Sequence, residues 1–107
     1  MQISAYSDFL KAAGQASVLE AEYASDPLLV AGAMQAVLDH AATELKPDAD
    51  VTLTSLTLDT LGQSDASQTM EFETRLDRQT RTLIFISGLA KQGEAAVLKA
   101  TAIYRIS

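Results

Sequence analysis

The segment Pro27 to Lys46 (PLLVAGAMQAVLDHAATELK) repeats its apolar residues at helical spacing, and almost everything after it reads as strand. Val30, Met34, Val37, Leu38, Ala41 and Leu45 fall at i, i+4, i+7 and i+8, a single stripe that must face a sheet or another helix. Gln35, Asp39 and Thr43 lie on a different side, and Ala31, Gly32, Ala33, Ala36 and Ala42 separate the two. With so many small residues, neighbouring backbone can come close on several sides, which suits an enclosed helix. Ser25, Asp26 and Pro27 supply the start signal, since Asp can accept from orphan N–H groups and Pro is tolerated in the first turn. Pro47 disfavours helical geometry at the residue before it, so the helix is expected over about 28–46, its body beginning between Pro27 and Gly32. Gly32 precedes Asp39 by seven residues, about two turns. A helix N-terminus near Gly32 would set backbone N–H donors on the same element as a carboxylate.

The flanking segments decide what encloses that helix. Ile3, Tyr6, Phe9, Leu10 and Ala13 predict a short amphipathic helix over 3–13, stopped by Gly14. Ala16 to Ala24 reads as a strand. Four β-like segments follow the long helix, over about 51–106. In Val51 to Leu61 the apolar phase changes between Leu53 and Leu56, as a bulge or sharp bend would require. Gln68 to Asp77 alternates Met70, Phe72, Thr74 and Leu76 against Glu71, Glu73, Arg75 and Asp77, with a turn expected over 77–80. Arg81 to Ala90 is apolar on both faces, as in a central strand; Gln92-Gly93 marks a hairpin turn; Ala95 to Ile106 alternates again. The order predicts one α+β domain, a curved antiparallel sheet wrapped around a central helix. The cone fold of small isomerases and dehydratases competes, but it normally has more helix before its sheet.

Composition narrows the chemistry. With 107 residues the chain can bury a core, and pairing with another subunit would add to it. It has no cysteine and a single histidine, His40, which disfavours disulfides, thiolate nucleophiles and a zinc or other metal site. Catalysis would therefore fall to carboxylates, hydroxyls or backbone. The net charge of −6 argues against a nucleic-acid partner. Residues 1–74 hold Lys11 and Lys46 against twelve acids, whereas residues 75–107 hold six basic residues against Asp77 and Glu94. A basic C-terminal region could hold a phosphorylated small molecule, or its charges could simply be solvated. Neither a signal-like N-terminus nor a bilayer-length apolar run occurs, so the expectation is a cytoplasmic protein with no membrane partner.

The pieces FLKAAG, VAGAMQAVLDHAA, DRQTRTLIFISGLAKQGEAAV and ATAIYRI resemble the hotdog-fold thioesterases, in particular the phenylacetate-pathway type and related small acyl-CoA thioesterases, over about residues 9–107. In that family the helix opens with His-Gly-Gly, and an acid seven residues after the second glycine performs hydrolysis. Val30, Ala31 and Gly32 occupy the motif here, and Asp39 falls on the acid's position. Val30 removes a polar group, and Ala31 adds a methyl where a thioester carbonyl would approach. The resemblance implies Asp39 as base or nucleophile, the N–H groups of Ala31 and Gly32 as oxyanion donors, and Arg78, Arg81 and Lys91 as contacts for CoA phosphates. It implies no cofactor beyond the CoA of an acyl-CoA substrate, and a homodimer or homotetramer with the active site at a subunit interface. The altered motif equally implies an alternative, a hotdog protein that binds an acyl ligand or a protein partner without chemistry. A dehydratase of the same fold would need a histidine and a helical glutamate that this chain does not match.

Overall fold

The computed structural model describes residues 3–107, and side chains from Asp8 onward. Two helices, α1 (Ile3–Ala16) and α2 (Pro27–Leu45), accompany five strands: β1 (Val18–Leu19), β2 (Val51–Thr60), β3 (Met70–Gln79), β4 (Leu83–Gln92) and β5 (Ala95–Ile106). The strands form one antiparallel sheet in the order β1-β3-β4-β5-β2, curved around α2. This is the hotdog arrangement, an α+β fold, as the resemblance implies. Among the described residues no helix is long and apolar enough to cross a membrane.

Helix α2 begins where its cap sequence dictates. The Asp26 carboxylate accepts from the Leu28 N–H at 3.0 Å, and Pro27 takes the first helical position, where a missing N–H costs nothing. Val30, Ala33, Met34, Val37, Leu38 and Ala42 are buried. The stripe is thus rotated slightly from expectation, because Ala33 and Ala42 take the places of Ala41, which is half-buried, and Leu45, which is exposed. Burial of a side chain the size of Met34 or Leu38 contributes about 1.5–3 kcal/mol. Facing them are Met70 and Phe72 on β3, Ile84 and Ile86 on β4, and Ala100, Ala102 and Tyr104 on β5.

Two glycines set how near α2 lies to its neighbours. A Cβ on Gly88, in the middle of β4, would meet the Met34 sulfur at 2.6 Å; one on Gly14 would meet the Ala36 carbonyl oxygen at 2.7 Å. Gly88 therefore marks close approach of another element, as its place in a central strand suggests. Gly14 corrects the sequence reading: α1 does not stop there but continues to Ala16 and ends at Ser17, whose φ of 58° turns the chain. The glycine serves contact with α2.

The segment expected as a strand over 16–24 is mostly something else. Only Val18 and Leu19 pair, with Glu71 and Met70, before a single 3₁₀ turn at Ala21–Tyr23 leads towards α2. In the sheet, the predicted bulge in β2 is present: the register shifts between Leu53 and Ser55, and the Thr54 hydroxyl donates to the Ile103 carbonyl at 2.9 Å. A second shift, between Leu76 and Arg78, lets β3 run on to Gln79 where a turn over 77–80 was expected. One extra residue, Asp77, is absorbed without ending the pairing. Strands β3 and β4 consequently lie about two residues later than the sequence pattern indicates. Gln92 ends β4 instead of forming the turn, and its buried amide binds the Asp65 and Gln68 carbonyls at 2.6 and 2.9 Å, tying down the β2–β3 loop. Gly93, at φ 60°, opens the two-residue turn to β5.

Gly14→Ala should destabilise the protein by about 1–3 kcal/mol in urea denaturation, because the added methyl collides with α2 backbone. In an unpacked helix the same change stabilises by about 1 kcal/mol. A gain in stability would therefore contradict the close α1–α2 contact.

Candidate functional site

The four residues of the altered motif do not stay together. Val30 is 4% exposed and belongs to the core, so the position of the family's histidine is filled by packing. Because α2 starts at Pro27, with the Val30 N–H donating to the Asp26 carbonyl at 3.0 Å, Ala31 and Gly32 fall in the second turn. Their N–H groups belong to the helix's own i→i−4 ladder, and the donors of a helix start are those of its first turn, where the Leu28 N–H is already capped by Asp26. Ala31 and Gly32 therefore lie inside the helix and not at its open end. The cap at Asp26 moved the helix start upstream of the motif.

Gly32 and Asp39 remain neighbours. Seven residues are 20° short of two full turns, so both face one cleft of about 420 Å³ between α1 and α2. Gln35, His40 and Thr43 line it from α2, and Leu10, Lys11 and Gln15 from α1. Ala31 instead lines a separate pocket of about 440 Å³ with Pro27, Val30, Leu58, Gly62 and Leu98, where α2 begins and β2 ends.

Asp39 is half-buried and makes two kinds of contact. Its backbone carbonyl accepts from the Thr43 hydroxyl at 2.8 Å, and its carboxylate Oδ1 accepts from the Tyr104 hydroxyl. Tyr104 is 2% exposed, on the helix-facing side of β5. Burial pushes its phenol well above the ordinary tyrosine range, and the hydrogen bond to Asp39 and the Asp39 charge push the same way. The phenol therefore stays protonated and donates. The sequence reading missed Tyr104, although one signal was present: in the phase Leu98, Ala100, Ala102, Tyr104 a lone hydroxyl points into the core and needs a partner. His40, at the same cleft, pairs through Nε2 with the Glu44 carboxylate at 2.9 Å.

The three basic residues assigned to CoA phosphates are not gathered. Arg78 follows the β3 bulge and Arg81 lies in the β3–β4 turn, both exposed. Lys91 sits near the far end of β4, roughly 20 Å of strand from Arg78 and about 30 Å from Arg81, and pairs with Glu73 at 3.3 Å. On the outer face of the sheet the Ser87 hydroxyl donates to Asp77 at 3.2 Å, and Arg75 binds the same carboxylate at 2.9 Å, holding it below the usual carboxylate range. Among the described residues, no three potential ligand side chains converge on a metal position.

The sequence matches no protein-family profile and no curated protein. Solved structures do match. A protein of Streptococcus pneumoniae TIGR4, described as a hypothetical thioesterase and solved with coenzyme A, superposes with a TM-score of 0.73 at 12% identity, over 84% of this chain and 75% of that one. A phenylacetic acid degradation-related protein of Ralstonia eutropha JMP134 gives 0.65 at 20% identity, over 85% and 77%. A protein of Streptococcus mutans UA159, solved bound to acetyl-CoA, gives 0.65 at 14% identity, over 84% and 77%. The chain shares their fold, the hotdog fold.

The Tyr104 phenol has a measurable consequence. Its ionisation is raised in the folded state, so the stability it contributes is complete below the unfolded value of about 10 and is lost as pH rises through the folded one. Between those values the unfolded chain gives up a proton that the folded chain keeps. Urea stability should therefore fall above about pH 10, by up to about 1.4 kcal/mol per pH unit from this group, and Tyr104→Phe should lack that share. An identical alkaline decline in the variant would contradict it.

Proposed function

We propose that this protein is a cytoplasmic acyl-CoA thioester hydrolase that uses the Asp39 carboxylate, works without a further cofactor, and assembles as a homo-oligomer. One observation carries the reading: Asp39 is a half-buried carboxylate on the central helix, opening onto a cleft beside Gly32. Solved structures of the same fold hold coenzyme A or acetyl-CoA, which supports an acyl-CoA as the small-molecule partner. In the reaction Asp39 takes a proton from water, the hydroxide forms a bond to the thioester carbonyl carbon, the C–S bond breaks, and Asp39 passes its proton to the leaving sulfur, so that CoA leaves as a thiol and the acyl group as an acid. Direct attack by the carboxylate, followed by hydrolysis of the anhydride, gives the same products.

The tetrahedral intermediate needs donors for its oxyanion, and the N–H groups of Ala31 and Gly32 are engaged within the helix. The side chain of Gln35, one turn from Asp39 on the same cleft, is a donor within this chain. A second copy is the other source. Strand β2 spans ten residues and pairs with β5 on one side only, and Leu58 and Leu61 near its end are 39% and 53% exposed. Antiparallel pairing of two such edges would join two sheets and bring another chain's residues near this cleft.

Asp39→Asn should lower turnover at least about a hundredfold on whichever acyl-CoA the wild type hydrolyses, with little change in melting temperature. A coupled thiol-release assay over short, aromatic and long acyl-CoAs measures this. Undiminished turnover in the variant would remove Asp39 from the chemistry. The burial of Val30 and the loss of helix-end donors favour a second reading, a protein that binds an acyl-CoA-like ligand or a protein partner without turnover. Its sign would be thermal stabilisation by CoA with no thiol released by the wild type.

A further inference from the structure

We propose that Tyr104 is the positioning residue for Asp39, fixing one carboxylate oxygen so that the other is left for water or substrate. The inference rests on the thioesterase reading. Among the described residues, the Tyr104 hydroxyl is the group that donates to the Asp39 carboxylate. Asp39 comes from the middle of α2 and Tyr104 from the last strand, 65 residues away in sequence. The bond therefore ties the acid to the sheet as well as to its own helix.

The two partners differ in freedom. Tyr104 lies between Leu53 of β2 and Ile84 of β4 in the sheet register, 2% exposed, so its ring is clamped on both sides. Asp39 is half-exposed at the cleft and would otherwise turn about its side-chain torsions. A rigid donor on Oδ1 selects one of those orientations and leaves Oδ2 as the acceptor available to the cleft. The pairing is also directional. A buried phenol beside a carboxylate keeps its proton, so Tyr104 remains a donor and does not compete with Asp39 as a base.

A tyrosine that merely fills space would act differently from one that orients a base. In Tyr104→Phe the ring stays and only the hydroxyl leaves. Turnover of the acyl-CoA identified by the thiol-release assay should fall roughly tenfold to a hundredfold in kcat, with KM within about threefold, because orientation and not binding is lost. In the Asp39→Asn background the same change should cause no further loss, since the pair acts as a unit. Should Tyr104→Phe fold poorly, side-chain scalar couplings of Asp39 in the wild-type protein, measured by NMR, should still report one χ1 rotamer. Wild-type kcat in a folded Tyr104→Phe, an equal loss in both backgrounds, or rotamer averaging at Asp39 in the wild type would each overturn the proposal. If hydrolysis depends on Asp39 but not on Tyr104, only the positioning role falls. If the wild type hydrolyses no acyl-CoA, the thioesterase reading falls first and the positioning role with it.

Discussion

Helix α2 lies closer to its neighbours than side chains on both partners would permit, and the rest of the structure depends on that distance. Gly88 lets the Met34 sulfur rest against the β4 backbone, and Gly14 lets α1 approach Ala36. The curved sheet can then enclose the helix on one side while α1 covers another, leaving a cleft along the seam between the helices. Asp39 lies on that seam and not in the core because its helical position falls beside the buried arc of Leu38 and Ala42. A helix held further from the sheet would leave a gap under Met34 and carry Asp39 away from Tyr104.

Periodicity made the fold legible. A helical stripe of Val30, Met34, Val37 and Leu38, a phase change between Leu53 and Leu56, and the two-sided apolar run in β4 are local patterns that survive into the structure. What failed were places where tertiary contact overrides local preference. Gly14 reads as a helix stop but lies inside a helix because another backbone needs the room. Residues 16–24 have strand-like alternation, yet only two of them find an edge to pair with. A bulge at Asp77 lengthened β3 beyond its apolar pattern, since an extra residue in one strand leaves no mark in the other.

The candidate site was half legible for related reasons. Asp39 and Gly32 share a face because helical geometry fixes their spacing. The start signal at Asp26 and Pro27 was legible too, and it puts Ala31 and Gly32 a turn inside the helix and not at its open end. Tyr104 was invisible as a partner because nothing local relates it to a residue on α2. Arg78, Arg81 and Lys91 look like a cluster in a list of charges, but an extended strand carries them to opposite ends.

The open edge of β2 also bears on how the chain survives its own synthesis. From Val51 to Thr60 it carries one charge, Asp59, with neither lysine nor proline, the residues that usually discourage a stray strand from docking. The bulge at Thr54 remains, and it kinks the edge so that a partner strand in the wrong register meets a mismatched ladder. An edge left open in this way is a place where aggregation can begin. The protein's net negative charge opposes this by keeping separate molecules apart.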